Sequence, residues 1–228
     1  MVLIKKGGGK EFRVIGIVEV LRKCTTGIIN RRLTSEIHYH DNLYYLRTGR
    51  GTVTTPLEAN LLQQLMVMRE AVIHIILLDL QKTYDALDQD RCLEILLGYS
   101  VGPRTLRILW TYWNWMHMVA NAGGYFSPPF KGHHRATQGY PLSPNVFNVV
   151  VDAMIRHFAT VMAPMEAGAE VLREMIQKLV DFFYVYNSVV ASPRPEMLQR
   201  AFNVLTDLFN RSGLNMNVRN MVRMACHK

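Results

Sequence analysis

The order of elements along these 228 residues predicts an α+β fold in which helices pack on one face of an antiparallel sheet. Three observations carry that expectation. The run Val72 to Leu78 is short, apolar and rich in β-branched residues, which favours a core strand, and it leads into Leu78-Asp79-Leu80 with Asp79 at the strand's end. The stretch Val146 to Met162 is long enough and apolar enough for a buried helix. After it come a hairpin around Leu179 to Ala191, a helix over Pro195 to Arg211 and a final pair of short strands.

Composition sets the outer bounds. Hydrophobic residues make up 49% and charged residues 19%, the profile of a globular chain with a core large enough for one domain or two intimate subdomains. The net charge is +8 and the pI about 9.5, a balance that suits phosphate-bearing partners and that a solvated lysine surface would also produce. Cys24, Cys92 and Cys226 are odd in number and scattered, without a Cys-x-x-Cys pair, which speaks against a disulfide or zinc framework. A reducing intracellular compartment, cytoplasmic or nuclear, fits that usage. His38, His40, His133 and His134 lack an accompanying array of Cys or carboxylate and read as surface or groove residues. The N-terminus has no apolar signal core, and Asn148, Asp152, Arg156 and His157 interrupt the longest apolar stretch, so no membrane partner is expected.

The elements follow in order. Residues 1–11, rich in Gly and Lys, read as a flexible leader. From Ile17 to Leu33, apolar residues recur at Ile17, Leu21, Cys24 and Ile28 with Arg22, Lys23, Arg31 and Arg32 between, which predicts an amphipathic helix with a basic face. Thr55-Pro56 offers an N-cap and a first-turn proline for a helix over Leu57 to Glu70. Further helices are predicted over Arg91 to Leu97 and Pro103 to Met118, then two short strands near Val119 to Ala122 and Tyr125 to Phe130, then a loop rich in Gly, His and Pro. Trp110, Tyr112, Trp113 and Trp115 could stack on bases, but their helical spacing favours core packing.

Several of these segments together resemble the palm and fingers of a reverse transcriptase of the group II intron, retron and non-LTR retroelement type. Phe12-Arg13-Val14-Ile15-Gly16 is similar to the family's Phe-Arg-Pro-Ile element, and Leu46 to Thr52, with Arg47, to its fingers loop. Leu78 to Asp88 resembles the Asp-x-x-Lys-Ala-Tyr/Phe-Asp segment, Thr137 to Pro144 the Gln-Gly-Asp-Pro-Leu-Ser-Pro loop, and Gly213 to Asn217 the Gly-Leu-x-x-Asn element. The resemblance implies a leader over 1–11, a fingers-like part over 12–70 and a palm over 71–228, with a fingers/palm loop region at about 119–144. It implies an RNA template, a DNA primer, a deoxynucleoside triphosphate and Mg2+; the oligomeric state stays open. The chain ends soon after the last element, so no thumb is expected.

Each implied role has a chemical reason. Nucleotidyl transfer uses two divalent ions, one activating the primer hydroxyl and one holding the triphosphate, and magnesium takes hard oxygen ligands. Asp79 matches the family's bridging metal ligand. Tyr84 matches the aromatic that closes over the sugar, Arg13 and Arg47 the guanidinium forks on the triphosphate, and Gln138 and Gly139 the loop at the templating base. Taken singly, each has a plainer reading as a turn, core or surface residue.

Departures from the pattern decide the expected activity. The family hairpin reads Tyr-Ala-Asp-Asp; this chain has Tyr184-Val185-Tyr186-Asn187, so Tyr186 and Asn187 stand at the acid positions. A phenol is neutral at pH 7 and an amide carries no charge. Asp181 is a poor substitute, since five strand residues span about 16 Å and the odd offset turns it to the other face. Tyr140 stands in place of the loop aspartate and Asn220 in place of a lysine. Losing about 4 kcal/mol of transition-state stabilisation already slows a reaction roughly a thousandfold. The expectation is a degenerate polymerase domain, inactive or severely impaired, a pseudoenzyme. The alternatives are an active polymerase that needs other chains, a catalytically dead RNA- or DNA-binding module, and an inert folded relic.

Overall fold

The computed structural model describes residues 2–5, 12–17, 19–45, 60, 64, 73–81, 83–122, 124–131, 140–162, 181–184, 187–192 and 194–226. In chain order the elements are β1 (Val2–Lys5), β2 (Phe12–Ile15), α1 (Val20–Glu36), β3 (Ile73–Gln81), α2 (Thr83–Ala86), α3 (Gln89–Gly98), α4 (Pro103–Asn114), β4 (His117–Met118), β5 (Asn121–Ala122), β6 (Tyr125–Phe126), β7 (Phe130–Lys131), α5 (Ser143–Met162), β8 (Asp181–Tyr184), β9 (Asn187–Ser192), α6 (Pro195–Arg211), β10 (Asn215–Met216), a 3-10 turn (Val218–Asn220) and β11 (Val222–Cys226). The predicted helix over 57–70 lies outside the described residues except at Asn60 and Gln64, both helical. Two units interleave along the chain, one of Met1–His38 with Tyr84–Val149 and one of Tyr39–Thr83 with Val150–Lys228.

The second unit holds the predicted antiparallel sheet. β3 is its spine, paired with β9 on one side and with β10 and β11 on the other, while β8 pairs the far edge of β9. Alternation sorts the side chains of β3: Ile76, Leu78 and Leu80 are buried, while Ile75, Leu77 and Asp79 are half-buried. On α6, Met197, Leu198, Ala201, Leu205 and Phe209 recur at helical spacing and are all buried, and this face packs on β3, β9 and β10. Pro195 starts the helix in the first turn, where its missing N–H costs nothing.

In the first unit, β1 pairs antiparallel with β2 and parallel with β5, which carries β6; β4 and β7 form a separate antiparallel pair. Asp88 caps α3, its Oδ1 accepting from the N–H groups of Asp90 at 2.9 Å and Arg91 at 3.2 Å, so the helix begins two residues before the predicted Arg91. α4 ends at Asn114 rather than at the predicted Met118. The chain beyond it is drawn into β4, where His117 pairs with Lys131 and Met118 with Phe130, and Met118 is buried with Met116 and Tyr140. The predicted strand over 125–130 splits into β6 and β7 around Ser127-Pro128-Pro129, because proline has no N–H for a ladder.

The inward face of α1 is not the one that spacing selected. Ile17, Leu21, Cys24 and Ile28 are exposed, and Thr26, Ile29 and Leu33 are buried. Thr26 is tolerated inside because its hydroxyl donates to the carbonyl of Arg22 at 2.7 Å. Asn145 at the start of α5 donates its amide to Asn30 Oδ1 and, at 2.9 Å, to Thr34 Oγ1, and those contacts turn the Ile29/Leu33 side inward.

α5 meets the expectation of a buried helix, with Val146, Phe147, Val149, Val150, Val151, Ile155 and Phe158 almost wholly enclosed. Asp152 is enclosed as well and is satisfied: Arg156 donates Nε to Oδ2 at 2.7 Å, and the backbone N–H of His40 donates to Oδ1. Among the described residues no helix is long and apolar enough to cross a membrane.

Phe209→Ala should lower the unfolding free energy by about 3–5 kcal/mol in a urea titration, whereas Asn203→Ala on the exposed side of the same helix should stay within about 0.5 kcal/mol. Asp152→Ala should cost about 2–3 kcal/mol, less than a fully buried pair because Arg156 is half in water.

Candidate active site

Asp79 faces away from the core of its sheet because Leu78 and Leu80 on either side of it face in. The strand continues two residues beyond it to Gln81, so Asp79 sits within the ladder and not at the strand's end as predicted. The register places Asn187 of β9 directly opposite Asp79, and Tyr184 of β8 opposite Asn187. The three positions therefore form one row across β3, β9 and β8.

On the other side of β3 the ladder is interrupted. Met216 pairs with Leu80 and Val222 with Leu77, so residues 217–221 lie opposite only Leu78 and Asp79. The surplus is taken up by the 3-10 turn, and the bulge carries two amides onto the carboxylate. Asn217 donates Nδ2 to Asp79 Oδ2 at 2.8 Å, and Asn220 donates Nδ2 to the same oxygen at 2.7 Å. The Asn217 backbone N–H also donates to the Asp79 carbonyl at 2.7 Å, and Gln81 Nε2 donates to Asn217 Oδ1 at 3.3 Å. A carboxylate only accepts, so both amides must turn their NH2 groups towards it. Oδ1 of Asp79 has no donor among the described residues.

The remaining predicted residues are placed as follows. Tyr84 lies on the short helix α2, with its ring 5.6 Å from that of Phe147 and tilted at 47°. Arg13 stands in β2 opposite Ile4. Asn187 is placed by its backbone register alone, and Tyr186, Arg47, Gln138 and Gly139 lie outside the described residues. Among the described residues no three His, Cys, Asp or Glu side chains converge as metal ligands would.

Tyr140, which stands where the resemblance would place an aspartate, is nine-tenths buried in a cluster with Met116 and Met118, against which Tyr112 packs edge-on at 6.2 Å. Burial pushes both phenols above their ordinary range, against the pull of Arg22, whose guanidinium lies 5.9 Å from the Tyr112 ring centre. The cluster is neutral and apolar at the position where the resemblance places an aspartate.

Residues 4–224 match the reverse transcriptase (RNA-dependent DNA polymerase) family. The chain belongs to that family. Among curated proteins, this reverse transcriptase domain is 25% identical over 162 residues, 71% of its length, to the retrovirus-related Pol polyprotein from the type-2 retrotransposable element R2DM of Drosophila melanogaster. Among solved structures it is similar to telomerase from Candida tropicalis in complex with a TWJ fragment of telomeric RNA, with a TM-score of 0.65, 12% identity and 98% of this chain covered. It is also similar to telomerase from Candida albicans in complex with a TWJ fragment of telomeric RNA, with a TM-score of 0.58, 13% identity and 90% covered. The domain spans 15% of the retrotransposon polyprotein and 40% and 34% of the two telomerase chains. These likenesses agree with the α+β architecture and its antiparallel sheet.

Sequence reasoning singled out Asn217 and Asn220 as motif positions but not as partners of Asp79. The signal is their spacing: two amides three residues apart reach one point only when a tight turn stacks them.

Asn217→Ala and Asp79→Asn should each destabilise by about 1 kcal/mol. The double variant should cost less than their sum, since the two changes remove one shared contact. With both phenols held protonated by the fold, their contribution to stability should be lost as pH rises above about 10, where the unfolded chain's tyrosines ionise first; Tyr112→Phe should shrink that fall in thermal scans run against pH.

Proposed function

We propose that this chain is a reverse transcriptase domain of the non-LTR retroelement kind whose nucleotidyl transfer is inactive or severely impaired. The observation that carries this reading is the setting of Asp79. One of its two oxygens is already taken by two amide donors, and the residue opposite it in the ladder is Asn187, which has no charge. RNA-templated DNA synthesis is the family reaction. The retrotransposon relative supports the retroelement assignment, and the RNA-bound telomerases support an RNA partner.

Magnesium is the ion the family reaction calls for, but the donor set here does not fit a pair of such ions. A two-ion site needs carboxylates that bridge both metals, and the acid positions of the hairpin hold Tyr186 and Asn187. Asp79 with the Asn187 carbonyl offers at most one weak oxygen site. Asn220 adds to the mismatch, since a neutral amide cannot protonate a leaving pyrophosphate as a lysine could. In this reading Arg13, Arg47, Tyr84, Gln138 and Gly139 are the remnants of the nucleotide pocket, and the segments 12–70 and 71–228 are the fingers and palm.

Primer extension on an RNA template, with Mg2+ or Mn2+, tests the proposal. The unaltered chain should extend at least about a thousandfold more slowly than the Tyr186→Asp/Asn187→Asp variant. Equal or faster extension by the unaltered chain would overturn the reading.

A further inference from the structure

All three tryptophans of the chain lie on α4 and its C-cap, and they divide by environment. Trp113 is buried and Tyr112 packs on the Met116/Met118/Tyr140 cluster, whereas Trp110 is 49% and Trp115 70% exposed, so the reading of the aromatic cluster as core holds for Trp113 and Tyr112 and fails for Trp110 and Trp115. An indole left in water calls for an explanation.

Charge along this segment of the sequence is one-sided. From residue 95 to residue 151 the sequence contains no Asp or Glu, while Arg104, Arg107, Lys131 and Arg135 fall within it. On α4, Arg104, Arg107, Ile108, Thr111 and the capping Trp115 recur at three- and four-residue intervals and are all exposed, with Trp110 beside them. Two residues past the cap, His117 pairs with Lys131 across β4 and β7, and both are exposed. Three helical arginines elsewhere are neutralised by their own helix, Arg91 by Glu94 at 2.7 Å, Arg156 by Asp152 at 2.7 Å and Arg211 by Asp207 at 2.8 Å, while Arg31 and Arg32 on α1 and Arg200 on α6 are exposed without exposed indoles beside them. Arg104, Arg107 and Lys131 have no ion pair among the described residues. A surface with bare cations, exposed indoles and no nearby acid in its own segment is complementary to a polyanion that presents flat apolar faces.

We propose that the exposed face of α4, carrying Trp110 and Trp115 with Arg104, Arg107 and Lys131, binds single-stranded nucleic acid, the indoles stacking on unpaired bases and the cations holding phosphates. Arg104 to Trp115 spans about 16 Å of helix, room for a few nucleotides. A duplex hides its base faces, so the surface selects single strands. Neither Asp79 nor any chemistry at the palm is required, and this binding survives whether or not the domain polymerises.

Intrinsic fluorescence reads the surface directly, because two of the three tryptophans lie on it. Titration with oligouridylate and with oligothymidylate should quench the emission, and a blunt duplex of equal length should bind more weakly. The two oligonucleotides show whether the ribose matters. Three phosphate contacts at about −0.7 each predict a slope near −2 for log affinity against log salt. Trp115→Ala should weaken binding at least about fivefold while Trp115→Phe keeps most of it, with circular dichroism confirming that both fold. Arg104→Gln with Arg107→Gln should bring the slope to about −0.7. Unchanged affinity in Trp115→Ala, equal binding of duplex and single strand, or no quenching at all would overturn the proposal. So would concentration-dependent self-association that Trp115→Ala abolishes without any oligonucleotide effect, which would assign the face to a second copy of the chain.

Discussion

The alternation of β3 is the constraint on which the rest of this domain depends. Ile76, Leu78 and Leu80 are buried on the alternate positions of a strand that α6 packs against, and their burial leaves Asp79 pointing away from the core. A slip of one residue in the pairing with β9 would bury the carboxylate and expose the leucines. The same register sets Asn187 opposite Asp79 and Tyr184 beyond it, so the row across the sheet where catalytic acids would gather is fixed by hydrophobic packing. The row is therefore kept whichever side chains occupy it. The core and Asp79 lie on opposite faces of one strand.

Around Asp79 the structure shows a local satisfaction of charge. A half-buried carboxylate on the central strand of a sheet needs donors, and the bulge between β10 and β11 supplies two amides to a single oxygen. In a site built for cations, that oxygen would face positive charge and neighbouring acids. In the proposed reading the neutral residues Tyr186, Asn187 and Asn220 supply neither; among the described residues Asp79 takes part in a hydrogen-bonded turn. Tyr140 shows the same trend elsewhere in the chain: where the resemblance places an acid, this protein buries an aromatic with Met116 and Met118. At both positions the side chains present are satisfied by packing or hydrogen bonds, and the apolar pattern makes the fold.

Much of this was legible in the sequence because periodicity records burial. The buried helix α5, the hairpin β8–β9 and the helix α6 follow the apolar pattern closely, and α6 begins at the proline that marks it. The face of α1 was misread because its apolar residues are not its buried ones; Asn145 and the hydroxyl bond of Thr26 decide the orientation, and neither is visible as hydrophobicity. The end of α4 was placed too late because a two-residue strand pairing, formed with residues more than ten positions away, overrides helical propensity. In the candidate site, Asp79 and Asn187 were read from the motif pattern, and the register brings them opposite each other. The amide partners of Asp79 were missed because their role arises from a three-residue turn that has no hydrophobic signature.

The central claim is electrostatic, that a carboxylate held by two amides and faced by an asparagine does not seat a pair of divalent ions. The most direct measurement is the number of Mn2+ ions bound per chain in the presence of a nucleoside triphosphate, counted by electron paramagnetic resonance with Asp79→Asn as the blank. The account predicts no more than one weak ion that depends on Asp79. Two ions that bind together and are lost together in Asp79→Asn would contradict it.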